Sequence, residues 1–163
     1  MDLVIAVDTT YSMNRIINGI IKPLEDFIQK QLADPTVIPP LTVLEEFKDD
    51  VRLVIPPTRD MKAVLDALRN LKIEGGGTCP EASVDALNLA ADYLKKDGVI
   101  LGATNAPARP DADVEALKKR LTEMEADGAK IFFIYQPECD VTSGIEQGDQ
   151  GLGDIAVPAF PAQ

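Results

Sequence analysis

The sequence predicts an α/β fold, a three-layer α/β/α sandwich with a mainly parallel central sheet and one antiparallel edge strand. Three observations lead to it. Short apolar runs alternate with segments of helical periodicity along most of the 163 residues. The run Leu3–Val7 is apolar on both faces, as a strand in the middle of a parallel sheet must be. Two further strands, 41–47 and 51–55, are joined only by "KDD", a link too short for a crossover, so they are expected to pair as an antiparallel hairpin.

The elements follow in order. The first strand gives way at Asp8 to a polar loop. From Ser12 to Leu32, the residues Ile16, Ile20, Leu24, Phe27 and Ile28 fall on one helical stripe, and Pro23 is expected to kink that helix. "ADPTVIPP" ends it. After the hairpin, Pro56 and Pro57 place the second of its strands at an edge, because proline donates nothing to a ladder. Asp60 is a candidate cap for a helix that carries Met61, Val64, Leu65, Leu68 and Leu71 on one face and stops at "EGGG". A third helix is expected from Pro80 to Lys96, then the strand "VILGAT", a fourth helix from Asp111 to Asp127 stopped by Gly128, and a strand from Ile131 to Tyr135. All 163 residues read as a single domain whose end, from about residue 137, is rich in glycine and proline and carries only a weak helical signal around 152–157.

Composition narrows the partners. Sixteen basic against 27 acidic residues give a net charge of −11, which leaves no basic surface for a nucleic-acid backbone and disfavours an anionic membrane. The same field favours divalent cations and basic protein surfaces. With no histidine, Ser-His-Asp and Cys-His catalysis, His-ligated zinc and the usual neutral-pH base are all excluded. Cys79 and Cys139 match no zinc spacing; one disulfide between them is compatible with the sequence but not required. The chain lacks the features of a signal peptide or a membrane span, so it is expected to be soluble, with the cytoplasm favoured.

Ligands of such sheets sit beyond the carboxyl ends of the strands, where strand order reverses, so the segments after Val7, Ala103 and Tyr135 matter most. Asp8, Thr10 and Ser12 offer one carboxylate and two hydroxyls that a turning loop could aim at one spot, a donor set suited to a hard cation such as magnesium. The local alternative has Ser12 capping the first helix, Thr10 bonding within the turn and Asp8 accepting backbone amides. In "GGGTCPE" (75–81) the glycines permit positive φ or close backbone approach, and Thr78 supplies another hydroxyl; equally, Thr78 to Glu81 reads as a T-x-x-E capping box. Thr104 and Asn105 stand at the end of "VILGAT", next to the expected place of Asp8, or simply form a turn.

"DTTYS" resembles the D-x-[ST]-x-S motif of von Willebrand factor type A (vWA) domains, and "GGGTCPE" resembles their second metal-site loop, in the family's order around a hairpin and helix. The resemblance implies a Rossmann-like sandwich with a metal-ion-dependent adhesion site (MIDAS) that recruits an acidic residue of a partner protein. By that resemblance Thr10 and Ser12 ligate the metal directly, Asp8 directly or through water, and Thr78 from the second loop. The ion is expected to be Mg2+, with Mn2+ or Ca2+ as substitutes, and no catalysis is expected. One departure matters: the family commonly has an aspartate where this chain has Asn105, whose amide oxygen can approach a metal or a water but brings no charge. Asp8 alone would then leave about +1 on a dication. Glu81, Asp111, Glu138 and Asp140 could compensate from nearby loops, but read first as ordinary solvated acids. Against the family's pattern the end of the chain, from about residue 137, is atypical or truncated.

Two rival readings come from other classes. One keeps the vWA-like fold but makes the site degenerate and metal-free, with the surface binding the partner. The other is a haloacid dehalogenase-type phosphatase with Asp8 as nucleophile, Thr104 holding phosphate, Lys130 balancing charge and Asp149 with Asp154 binding magnesium. Thr10 stands where such an enzyme needs an acid–base aspartate.

Overall fold

All six residues of the first strand, β1 (Leu3–Asp8), are buried, and this strand organises the molecule. The computed structural model describes residues 1–76 and 81–135. β1 lies at the centre of a five-stranded sheet with β2 (Thr42–Phe47), β3 (Val51–Thr58), β4 (Val99–Thr104) and β5 (Lys130–Tyr135), in the order β3-β2-β1-β4-β5. Every pairing is parallel except β2 with β3. The expected fold class is therefore the observed one. The chain first moves outward from β1 through β2 to β3 and then returns to the other side of β1 as β4. Strand order consequently reverses between β1 and β4, whose carboxyl ends carry Asp8 and Thr104.

Among the described residues four helices cover the sheet: α1 (Ile17–Ala33), α2 (Met61–Arg69), α3 (Ser83–Tyr93) and α4 (Val114–Ala126). Side chains alternate along β1, so Leu3, Ile5 and Val7 pack with α1 and α2 while Val4 and Ala6 pack with α3 and α4. Asp60 and Asp113 cap α2 and α4 by accepting the Ala63 and Ala116 amides at 3.1 and 2.9 Å. Among the described residues no helix is long and apolar enough to cross a membrane.

Two expectations need correction. Ser12 caps no helix, because Tyr11–Arg15 forms a short 3-10 turn and α1 begins only after Ile16. α1 contains Pro23 and runs to Ala33. The third helix starts at Ser83 rather than Pro80: the Glu81 and Ala82 amides are already used by the Pro107 and Lys48 carbonyls, at 3.1 and 2.9 Å. Glu81 thus precedes the helix instead of standing in its first turn, and Thr78, the other half of the expected capping box, lies outside the described residues. At the edge, β3 runs on through Pro56 and Pro57, which fall at a register shift where no ladder donor is required.

Candidate metal and partner site

The last residue of β1 is an acid held by its neighbours. Asp8 Oδ1 accepts the Thr10 amide at 2.9 Å and the Thr10 hydroxyl at 2.7 Å, and Oδ2 accepts the Thr104 hydroxyl at 2.7 Å. The backbone N–H of Asn105 also favours the charged form of this carboxylate. Burial nonetheless raises the Asp8 pKa above the usual carboxylate value, with these hydrogen bonds opposing the shift.

From Asp8 the oxygens continue outward. Thr10 Oγ1 lies 3.3 Å from Ser12 Oγ, and Ser12 Oγ donates to Asn105 Oδ1 at 3.2 Å. Asp8, Thr10 and Asn105 are buried, whereas Ser12 is exposed, so the chain of groups runs from the sheet to the surface. Asn105 Nδ2 has no partner among the described residues. The structure therefore brings together Asp8, Thr10, Ser12 and Asn105, with Thr104 beneath them. Thr78 lies outside the described residues.

The second loop reaches this cluster through its backbone. Glu74 donates to the Thr9 carbonyl at 3.1 Å, and Tyr11 donates to the Gly75 carbonyl at 3.0 Å. Gly75 and Gly76 adopt φ of +75° and +91°. A Cβ on Gly76 would stand 2.8 Å from Thr10 Cγ2 and 3.2 Å from Glu81 Oε1, so close approach and positive φ are both required there.

That contact reveals a residue that sequence reasoning misplaced. Glu81, expected to be a solvated acid, is 3% exposed, beside Thr10, and its Oε2 has no hydrogen-bond partner among the described residues. Burial pushes its pKa up to about 8, helped by the negative charges of Asp8 and Asp49 and opposed by Lys48 and Arg109. No pattern in the sequence announces this, because Glu81 is drawn inward by its own amide bonding to Pro107 and its bridge with Ala108 after β4. Asp111 is exposed as expected, while Glu138 and Asp140 lie outside the described residues.

Among the described residues the donor set is oxygen only. Among the described residues no group of three or more His, Cys, Asp or Glu could hold a metal, so any ion here would rely on hydroxyl and amide oxygens as well as carboxylates. The phosphatase arrangement does not assemble. Lys130 begins β5 opposite Val99, at the amino end of the sheet, whereas Asp8 ends β1 at the carboxyl end. Thr104 is fully buried and committed to Asp8, and Asp149 and Asp154 lie outside the described residues.

Comparison with known proteins is consistent with this geometry. The chain is 30% identical over 112 residues to a protein named as an ariadne-like RING finger protein of Acanthamoeba polyphaga mimivirus, an alignment covering 66% of this chain and 11% of that protein. It thus spans about a tenth of the length of the curated relative it matches. Proximal thread matrix protein 1 from the mussel byssus superposes with a TM-score of 0.59 at 11% identity, covering 82% of this chain and 37% of the other. Another structure of that mussel protein has a zinc-occupied MIDAS motif. The vWF domain of the type V pili tip protein of Porphyromonas gingivalis gives a TM-score of 0.52 at 19% identity, over 66% of this chain and 38% of that one. The sequence model of the von Willebrand factor A domain matches residues 2–150, and the chain belongs to that family.

Proposed function

We propose that the cluster at the ends of β1 and β4 holds a divalent cation and presents it to a carboxylate of a partner protein. The observation that carries this reading is the spacing of Thr10 Oγ1, Ser12 Oγ and Asn105 Oδ1, with steps of 3.3 and 3.2 Å. Neighbouring oxygens around a magnesium ion stand about 3.0 Å apart, and around calcium about 3.4 Å, given their usual bond lengths. The observed spacing suits either ion. Magnesium is preferred because calcium takes more oxygens, whereas magnesium keeps several waters and needs few carboxylates.

Thr10, Ser12 and Asn105 would hold the ion directly, Thr78 would join them from the second loop as the family resemblance implies, and Asp8 would act through water. Three hydrogen bonds already end on the Asp8 carboxylate, which holds the Thr10 and Thr104 hydroxyls in place and leaves acceptor capacity for a metal-bound water. The ion would supply a positive Lewis-acid centre for an incoming carboxylate. The charge missing at Asn105 would come from Glu81 only by loss of its proton as the ion binds. Burial keeps this carboxyl, whose Oε2 is unpartnered among the described residues, protonated up to about pH 8. The family's domains generally serve as interaction modules rather than enzymes.

Calorimetric titration with MnCl2 and MgCl2 tests the proposal. Thr10→Ala and Ser12→Ala are each expected to weaken binding about tenfold or more, while Asn105→Asp, which adds charge and removes the unpaired amide, tightens it. Equal behaviour of all four proteins would refute it. The internal satisfaction of Asp8 is also what a metal-free interaction domain would show. In that reading neither ion binds, and Asp8→Ala leaves partner binding unchanged.

A further inference from the structure

Beside the cluster the surface dips into a cavity of about 340 Å³ that is lined, among the described residues, by Tyr11, Ser12, Asn14 and Arg15. Ser12 belongs to both the cavity and the oxygen cluster, so a ligand on the site enters this concavity. Two of its side chains lack an internal explanation. Tyr11 is 71% exposed between the two hydroxyl residues, at a position where solvent exposure of an aromatic ring gains nothing for the fold. Its backbone is fixed from both sides, by its own amide on Gly75 and by Asn14 Nδ2, which donates to the Tyr11 carbonyl at 2.9 Å.

Arg15 is the second. Arg52, Arg59, Arg69, Arg109 and Arg120 all form ion pairs, with Glu46, Asp2, Glu25, Asp111 and Asp92 respectively. Arg15 is exposed and makes no ion pair among the described residues, in a chain with 27 acidic side chains to choose from. A protein of net charge −11 repels an acidic ligand as a whole, so such a ligand depends on local cations. Arg15 is such a cation, with its planar donor fork open.

We infer that the concavity reads a second acid in the partner. The partner segment is an extended acidic peptide with carboxylates at positions i and i+2, the first on the metal and the second on the Arg15 guanidinium, with the intervening backbone against Tyr11. The inference rests on the metal reading of the preceding section. Its spacing comes from geometry. Ser12 and Arg15 are three residues apart on a 3-10 turn, a rise of about 6 Å. In an extended strand, side chains i and i+2 share a face and stand about 6.6 Å apart.

Fluorescence polarisation with three labelled peptides on the full chain in Mg2+ tests it: the mono-acid GGSDGSGG, the diacid GGSDGEGG and the equally charged GGSDEGGG. The i,i+2 diacid is expected to bind about fivefold tighter than either other peptide. Arg15→Glu, at an exposed position, should abolish that advantage, weakening the i,i+2 diacid more than the mono-acid. Equal affinity of the two diacids, or a preference that survives Arg15→Glu, overturns the inference. Mn2+ binding with no diacid preference, or with no peptide binding at all, overturns it while leaving the metal reading standing; failure to bind Mn2+ removes both.

Discussion

At Gly76 the backbone passes so near Thr10 that a single methyl group decides between fit and collision. Gly75, one residue earlier, shares the positive φ but has open space around it. The two glycines therefore separate backbone strain from crowding of the site. Gly75→Ala should cost about 1 kcal/mol, measured by chemical denaturation, and leave Mn2+ affinity unchanged. Gly76→Ala should cost about 1–3 kcal/mol and also weaken Mn2+ binding, because the new methyl displaces Thr10. Glu81 illustrates the same scale. It was legible in the sequence as an acid after a proline, but its burial depends on loops after β2 and β4 that no local pattern joins to it.

Among the elements, β2 carries the least expected side chains. Its phrase "LEEF" puts two acids into a strand that is buried along its whole length. Glu46 is satisfied by the Thr9 hydroxyl at 3.1 Å and by Arg52. Glu45, opposite Ala6 and on the face of Val43 and Phe47, has neither carboxyl oxygen partnered among the described residues, and burial pushes its pKa up to about 8. The folded protein thus keeps this proton while the unfolded chain loses it near the ordinary glutamate value of 4.5. With more protons bound in the folded state, stability must fall as pH rises from about 4.5 to 8 and level off above that. Melting temperatures in EDTA across that range check the sign. Each such proton contributes a slope of at most about 1.4 kcal/mol per pH unit, and Glu45→Gln should remove its share.

For the whole molecule, the sheet order fixes the position of the site. Because the chain leaves β1 for α1 on one face and β4 for α4 on the other, the strand ends part between β1 and β4, and Asp8, Thr104 and Asn105 stand there. An ion binding only the folded state must raise its stability. At an Mg2+ concentration about one hundred times the Kd the gain is about 2.7 kcal/mol, or roughly 5–10 °C in melting temperature for a chain of this size. Scanning calorimetry in Mg2+ and then EDTA should show a shift of that order that reverses, and Thr10→Ala should blunt it.

The sequence by itself determined the layer architecture, the hairpin, the proline-bearing edge and the Asp60 cap, since periodicity and turn chemistry are local properties. It also marked Asp8, Thr10, Ser12 and Asn105 as a candidate set, through their places at strand ends and the family resemblance. Tertiary structure alone decided which of these oxygens share hydrogen bonds, that Ser12 caps no helix, that Lys130 stands at the wrong end of the sheet, and that Glu45 and Glu81 are buried. Those outcomes depend on distances between segments up to about one hundred residues apart, and such distances are set when the sheet closes, not by any residue's neighbours in sequence.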